Sequence, residues 1–181
     1  MRNLIVIVMV VMLVVVLPAT STGVEYTITT ADGNGADTVV QENDENNNNG
    51  SSAGMWARWN QGSSRNDHIV LRFDLSGIIG TITNATLNLI KNEDNDPTGP
   101  NYIYGVSNGV SGDALADWSE TGLTWNNCDW LDRDAPYDDN DLDSTKLTPA
   151  FGATFSTAGN KGETKSFSHA DLLSFLTDDN N

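Results

Sequence analysis

The sequence predicts an all-β domain, an antiparallel β-sandwich of jelly-roll type with one short C-terminal helix. Three observations predict it. Short runs alternate apolar and polar residues with period two, Asx, Gly, Ser and Thr residues separate those runs, and a single stretch carries helical periodicity.

The first segment stands apart from this pattern. Arg2 is followed by an unbroken apolar run from Leu4 to Leu17 and by the breaker and small residues of Pro18 to Gly23, the three-part layout of a secretory leader. The run is shorter than the roughly 20 apolar residues that a spanning helix needs. Residues 1–23 are therefore expected to be a signal peptide cleaved near Ser21 or Gly23, with no membrane insertion afterwards. No twin arginine is present, so the general export route suffices. Residues 24–181 are expected to form one domain, secreted or held at the cell surface.

Along that domain, Val24 to Thr30 alternates with Val24, Tyr26 and Ile28 on one face. Asp37 to Gln41 follows the turn signal Asp32-Gly33-Asn34-Gly35, and Asn43 to Ser52 reads as a loop. Gly54 to Trp59 sets Trp56 and Arg58 on one face. The clearest strand is His68 to Leu75, with Ile69, Leu71, Phe73 and Leu75 inward and His68, Val70, Arg72 and Asp74 outward. Ile82 to Lys91 places Ala85, Leu87 and Leu89 inward, and Tyr102 to Val106, Leu123 to Trp125 and Lys165 to Phe167 are further strand candidates. The one helix starts after Ser168, read as its cap with Asp171 three residues on, and carries Leu172, Leu173, Phe175 and Leu176.

Composition narrows the function classes. With 9 Lys and Arg against 25 Asp and Glu the formal charge is −16, which repels phosphate backbones and anionic membranes and excludes a groove-binding nucleic-acid protein. Cys128 is the single cysteine, read as an inert buried thiol, and with two histidines it leaves no structural zinc site. Any metal would be held by oxygen. Asp94 and Asp96 in one turn, and Asp138, Asp139 and Asp141 within the acidic stretch Asp129 to Asp143, are the candidate ligands for a structural Ca²⁺. Their spacing does not match an EF-hand, and a solvated acidic loop is the competing reading. Asn84-Ala85-Thr86 matches a glycosylation sequon, set in a predicted strand.

Asp117 to Asn127 reads Asp-Trp-Ser-Glu-Thr-Gly-Leu-Thr-Trp-Asn-Asn, preceded by the strands Ile69 to Leu75 and Ile82 to Leu89. This arrangement resembles the DNRLRE-type domains, grouped as carbohydrate-binding module family 96. The resemblance implies a β-sandwich of secreted and cell-surface proteins, often attached to polysaccharide-degrading enzymes, some members binding alginate-like polymers. It also implies a Gly and a further apolar strand after the helix, whereas this sequence stops at Asp178-Asp179-Asn180-Asn181, so either the sequence is truncated or a pairing edge is open.

Within the block, Asp117, Trp118, Glu120, Thr124 and Trp125 can be read as a catalytic acid with sugar platforms, but buried tryptophans with Ser119, Glu120 and Asn126 bonding loop backbone is the simpler reading. His68 and Arg72 hint at a lyase pair, yet residues four apart on a strand lie about 13 Å apart and cannot act on one atom. The expected function is non-catalytic binding of extracellular polysaccharide, with acidic, alginate-like glycans as one ligand class. The candidate binding residues are Trp56, Arg58, His68, Arg72 and Asn88, and the pair Tyr102 and Tyr104, because guanidinium forks suit carboxylates and vicinal hydroxyls while aromatics stack on sugar rings. The alternatives are a structural or adhesive surface domain without a sugar site, and a small lyase or hydrolase.

Overall fold

The computed structural model describes residues 5–7, 12–16, 24–58, 66–94, 100–106, 118–132, 142–152 and 154–177. Among the described residues eight strands form, in chain order β1 (Ile5–Ile7), β2 (Met12–Val16), β3 (Glu25–Ile28), β4 (Ala36–Gln41), β5 (Met55–Ala57), β6 (Asp67–Arg72), β7 (Ala85–Ile90) and β8 (Thr164–Phe167). They are followed by one helix, α1 (Ala170–Thr177). Every pairing is antiparallel, and the chain is all-β with one short C-terminal helix as the alternation predicts.

A four-stranded sheet runs β3-β2-β7-β8, while β1 pairs with β5 and β4 with β6. Reciprocal bonds between the backbones of Arg58 and Asp67 tie β5 to β6. The alternation of β7 is read directly in its burial: Ala85, Leu87 and Leu89 are buried and their neighbours half-buried. They join Ile28, Phe151, Phe155, Phe167 and Leu172 in a first core, against which Ile69, Leu71 and Phe73 pack from the β6 side. Phe155 and Phe167 meet edge to face at 6.0 Å, the arrangement their ring quadrupoles favour.

The opposite face of β6 is also covered. Val70 and Val40 lie in a second core with Leu123, Trp125, Cys128, Trp130 and Leu131, and Trp118 packs against it. The expectation of a solvent face at His68, Val70 and Arg72 is thus corrected, because the segment from Trp118 to Leu131 folds over it.

Three local expectations also change. Tyr102 to Val106 forms no ladder: Phe155, Phe151 and Thr148 donate to Asn101, Ile103 and Gly105, so the partner advances by four and then three residues for every two. Such bulged spacing leaves only isolated bridges at Asn101 and Val106. Leu123 to Trp125 is not a strand, since Thr124 caps a 3-10 turn over Trp125–Asn127 and its N–H donates to Asn127 Oδ1 at 2.7 Å. Helix α1 is capped by His169, whose Nδ1 accepts from the Asp171 N–H at 3.2 Å, while the Ser168 hydroxyl donates to Ala85 O.

The apolar run near the start, expected as a cleaved leader outside the fold, is paired along its backbone at Ile5–Ile7 and Met12–Val16. A Val-rich run has high strand propensity, and the edges of β3 and β7 offer it two ladders.

Leu87 sits at 6% exposure in the middle of the first core. Leu87→Ala is expected to lower the unfolding free energy by about 2–5 kcal/mol in denaturant titration, whereas Ile79→Ala, at a position 81% exposed, leaves it within about 0.5 kcal/mol.

Candidate functional site

Each sequence-predicted binding residue has a defined place. Trp56 is half-buried on β5, where its backbone pairs with residue 6. Arg58 Nε lies 3.4 Å from Asp67 Oδ2, with the arginine side chain 13% exposed and the aspartate fully buried. Gln41 Nε2 donates to the other oxygen of the same carboxylate, Asp67 Oδ1, at 3.4 Å.

Arg72 is held three ways: Nε donates to Asn34 O at 2.7 Å, Nη1 donates to Trp118 O at 2.8 Å, and the guanidinium stands 5.3 Å from the Trp118 ring centroid. A planar fork with a cationic face suits all three partners at once. His68 stacks on Trp125 at 5.8 Å and 15°, and its Nε2 is buried with no hydrogen-bond partner among the described residues. Burial holds its pKa down to about 4, so the ring is neutral near pH 7. Asn88 Oδ1 accepts from the Ser166 hydroxyl at 2.6 Å across β7 and β8. Arg58, His68 and Arg72 therefore all face protein, His68 and Arg72 from one face of β6 and Arg58 beside Asp67, which alternation sets on the other.

The tyrosines differ. Tyr102 is 52% exposed and its ring lies 6.5 Å from that of Tyr104 at 44°. Tyr104 is half-buried, and burial, then the neighbouring Tyr102 hydroxyl, pushes its pKa up. They sit on the bulged segment whose first residue, Asn101, donates through Nδ2 to Phe155 O and Thr157 Oγ1. Backbone and side-chain bonds thus fix the segment while the Tyr102 ring remains exposed beside the half-buried Tyr104.

Sequence reasoning missed a polar clasp at Asn46 to Gly50. Asn48 Nδ2 donates to both Glu120 O and Leu123 O, Asn49 Nδ2 to Val39 O and Gln41 Oε1, and Asn126 Nδ2 to Asn46 Oδ1. A Cβ on Gly50 would meet Glu120 O at 2.0 Å, so only glycine permits this approach. The signal for the clasp was the run of four asparagines ending in glycine, a side chain that donates and accepts without charge.

A cleft of about 260 Å³ is lined by Tyr26, Thr27, Ile28, Asp32, Gly33, Asp74, Ser76 and Gly77. Its carboxylates serve their own turns: Asp32 Oδ2 accepts from Thr29 N and Oγ1, Asp74 Oδ2 from Asn34 N, and Asp74 Oδ1 from Ser76 N. The Thr29 bonds hold Asp32 low, and the Ser76 side chain, then the Asn34 and Ser76 backbones, hold Asp74 at about 2. A glycosidase general acid needs the opposite shift. Of the candidate Ca²⁺ ligands, Asp94 Oδ1 accepts from Lys161 N, and Asp96, Asp138, Asp139 and Asp141 lie outside the described residues. Among the described residues no three His, Cys, Asp or Glu side chains gather as metal donors.

Two outcomes test these assignments. The folded His68 binds its proton less readily than the unfolded chain does at 6.5, so its contribution is complete above pH 6.5 and is lost as pH falls toward 4. Roughly 3 kcal/mol is expected to disappear across that window, and His68→Phe, which keeps a ring on Trp125, is expected to flatten the slope in pH-dependent denaturation. Arg72→Ala is expected to cost about 2 kcal/mol of stability by the same titrations; unchanged stability would show that the arginine does not hold the Trp118 segment.

No curated protein and no solved structure matches the chain. A family model, carbohydrate-binding module family 96, matches residues 29–135, a span that holds β4 to β7, Arg58 and Arg72, the asparagine clasp and the tryptophan block. With more than half of its length matched and that block closing over β4 and β6, the chain belongs to carbohydrate-binding module family 96.

Proposed function

We propose that the protein is an exported, non-catalytic polysaccharide-binding module whose sugar contact is the Tyr102 and Tyr104 surface. Family membership supports the class of ligand, and the exposed Tyr102 ring beside Tyr104 supports the place. An aromatic face on a braced segment stacks a sugar ring at little ordering cost.

Acidic, alginate-like glycans are a ligand class that the family resemblance implies and that guanidinium forks such as those of Arg58 and Arg72 suit. Both guanidiniums already have protein partners, so an acidic polymer would meet the tyrosines without a dedicated cation at those two positions, against a charge of −16 that only high salt screens. The reading therefore leans toward recognition through ring stacking and hydroxyl groups. It also includes structural Ca²⁺ in the Asp-rich loops, in which case EDTA lowers the melting temperature and added Ca²⁺ restores it. A catalytic domain fused or associated elsewhere would be the natural companion of such a module.

Engagement of Arg58 by Asp67 favours a second reading, a structural or adhesive surface domain without a sugar site. Affinity electrophoresis in gels containing alginate, pectin or neutral glucans separates the two. Retardation in at least one gel is expected, and Tyr102→Ala with Tyr104→Ala should weaken it at least tenfold while the melting temperature holds. Migration unaffected by every polymer would remove the binding reading, and release of oligosaccharides by the isolated protein would remove the non-catalytic one.

A further inference from the structure

We propose that the gap between β3 and β7 is an acceptor site for a β-strand, filled by Met12–Val16 before export and afterwards by a short apolar strand of a different polypeptide. The inference rests on the export reading above, since it requires residues 1–23 to leave the mature chain.

β3 and β7 belong to one sheet but do not pair with each other. Each pairs instead with residues 12–16, from Leu13 opposite Ile28 to Val16 opposite Glu25 on one side, and from Met12 opposite Asn88 to Val15 opposite Ala85 on the other. Two ladders of about 4.8 Å set the flanking strands roughly 10 Å apart, too far for direct bonding. Position 13 stands in one row with Ile28 and Leu87, and position 15 in one row with Tyr26 and Ala85. Ile28, Ala85 and Leu87 are buried in the first core.

Removing the central strand therefore does two things at once. It leaves two facing edges of unpaired N–H and C=O groups, and it uncovers core rows on either side. The strand seen in place defines what fits: five apolar residues, antiparallel to both neighbours, without a charge in the middle. The mature chain is strongly acidic and Glu25 stands exposed at one end of the slot, so a donor with basic flanks is favoured. A second copy is a poor source, because the apolar strands β4, β6 and β7 are already paired within their own domain.

The test uses the mature chain 24–181 and the full chain 1–181, with a synthetic peptide carrying Met-Leu-Val-Val-Val between lysine pairs. A control peptide replaces the central Val with Pro, which removes a ladder donor. The mature chain is expected to bind the first peptide with micromolar affinity and gain several degrees in melting temperature, with the Pro peptide at least tenfold weaker and the full chain not responding. If the mature chain does not fold alone, refolding that succeeds only with the first peptide gives the same support. No binding, equal binding of both peptides, equal response of the full chain, or exchanged dimers of the mature chain alone would overturn the proposal. The mass of the exported protein reports leader removal independently, so failure of the export reading is distinguishable from failure of the acceptor site.

Discussion

Everything in this fold depends on burying both faces of one six-residue strand. β6 offers Ile69 and Leu71 to the first core and Val70 to the second, so it must be covered twice. The first cover is a sheet, which strand pairing provides cheaply. The second is an irregular segment, Trp118 to Leu131, which has no ladder of its own and must be held by side chains. Arg72 anchors one end through Trp118, His68 lies flat on Trp125, and Asn48 grips the carbonyls of Glu120 and Leu123. The residues that looked like ligand contacts are thus what keeps a tryptophan-rich loop seated.

The sequence revealed the regular parts well because they obey a local rule. Alternation in Ile69 to Phe73 and Ala85 to Leu89 named the inward faces correctly, and the C-terminal helix lies where its apolar stripe predicts. What it hid were decisions made at long range. A polar residue on an alternating strand reads as solvent-facing, yet His68 and Arg72 meet groups about 50 positions away in the chain. The asparagine run carries no period and reads as loop, though its amides reach across more than 70 residues. Tyr102 and Tyr104 were visible as a pair but not as a bulged segment, because the irregular partner lies at residues 148–155. Candidate site and candidate core could be told apart only once the second cover was in place.

The same division explains why an acidic protein can still belong to a binding family. The described carboxylates with displaced pKa values, Asp32, Asp74, Asp143 and Glu163, are all held low by hydrogen bonds to turns or to lysines. They act as turn locks whose charge faces water. The family's tryptophan block is likewise a folding device in this chain.

The asparagine clasp has one further result that bears on lifetime. An Asn-Gly pair is the dipeptide most prone to spontaneous deamidation, because the glycine amide can attack the preceding side chain and close a succinimide. Asn49-Gly50 is such a pair, at 8% exposure for the asparagine. Here the Gly50 N–H donates to Asn48 Oδ1 and the Asn49 amide is committed to Val39 O and Gln41 Oε1, so nucleophile and target are both restrained. Chemical ageing at this site is consequently slaved to local unfolding: Asn49 deamidates only while the clasp is open.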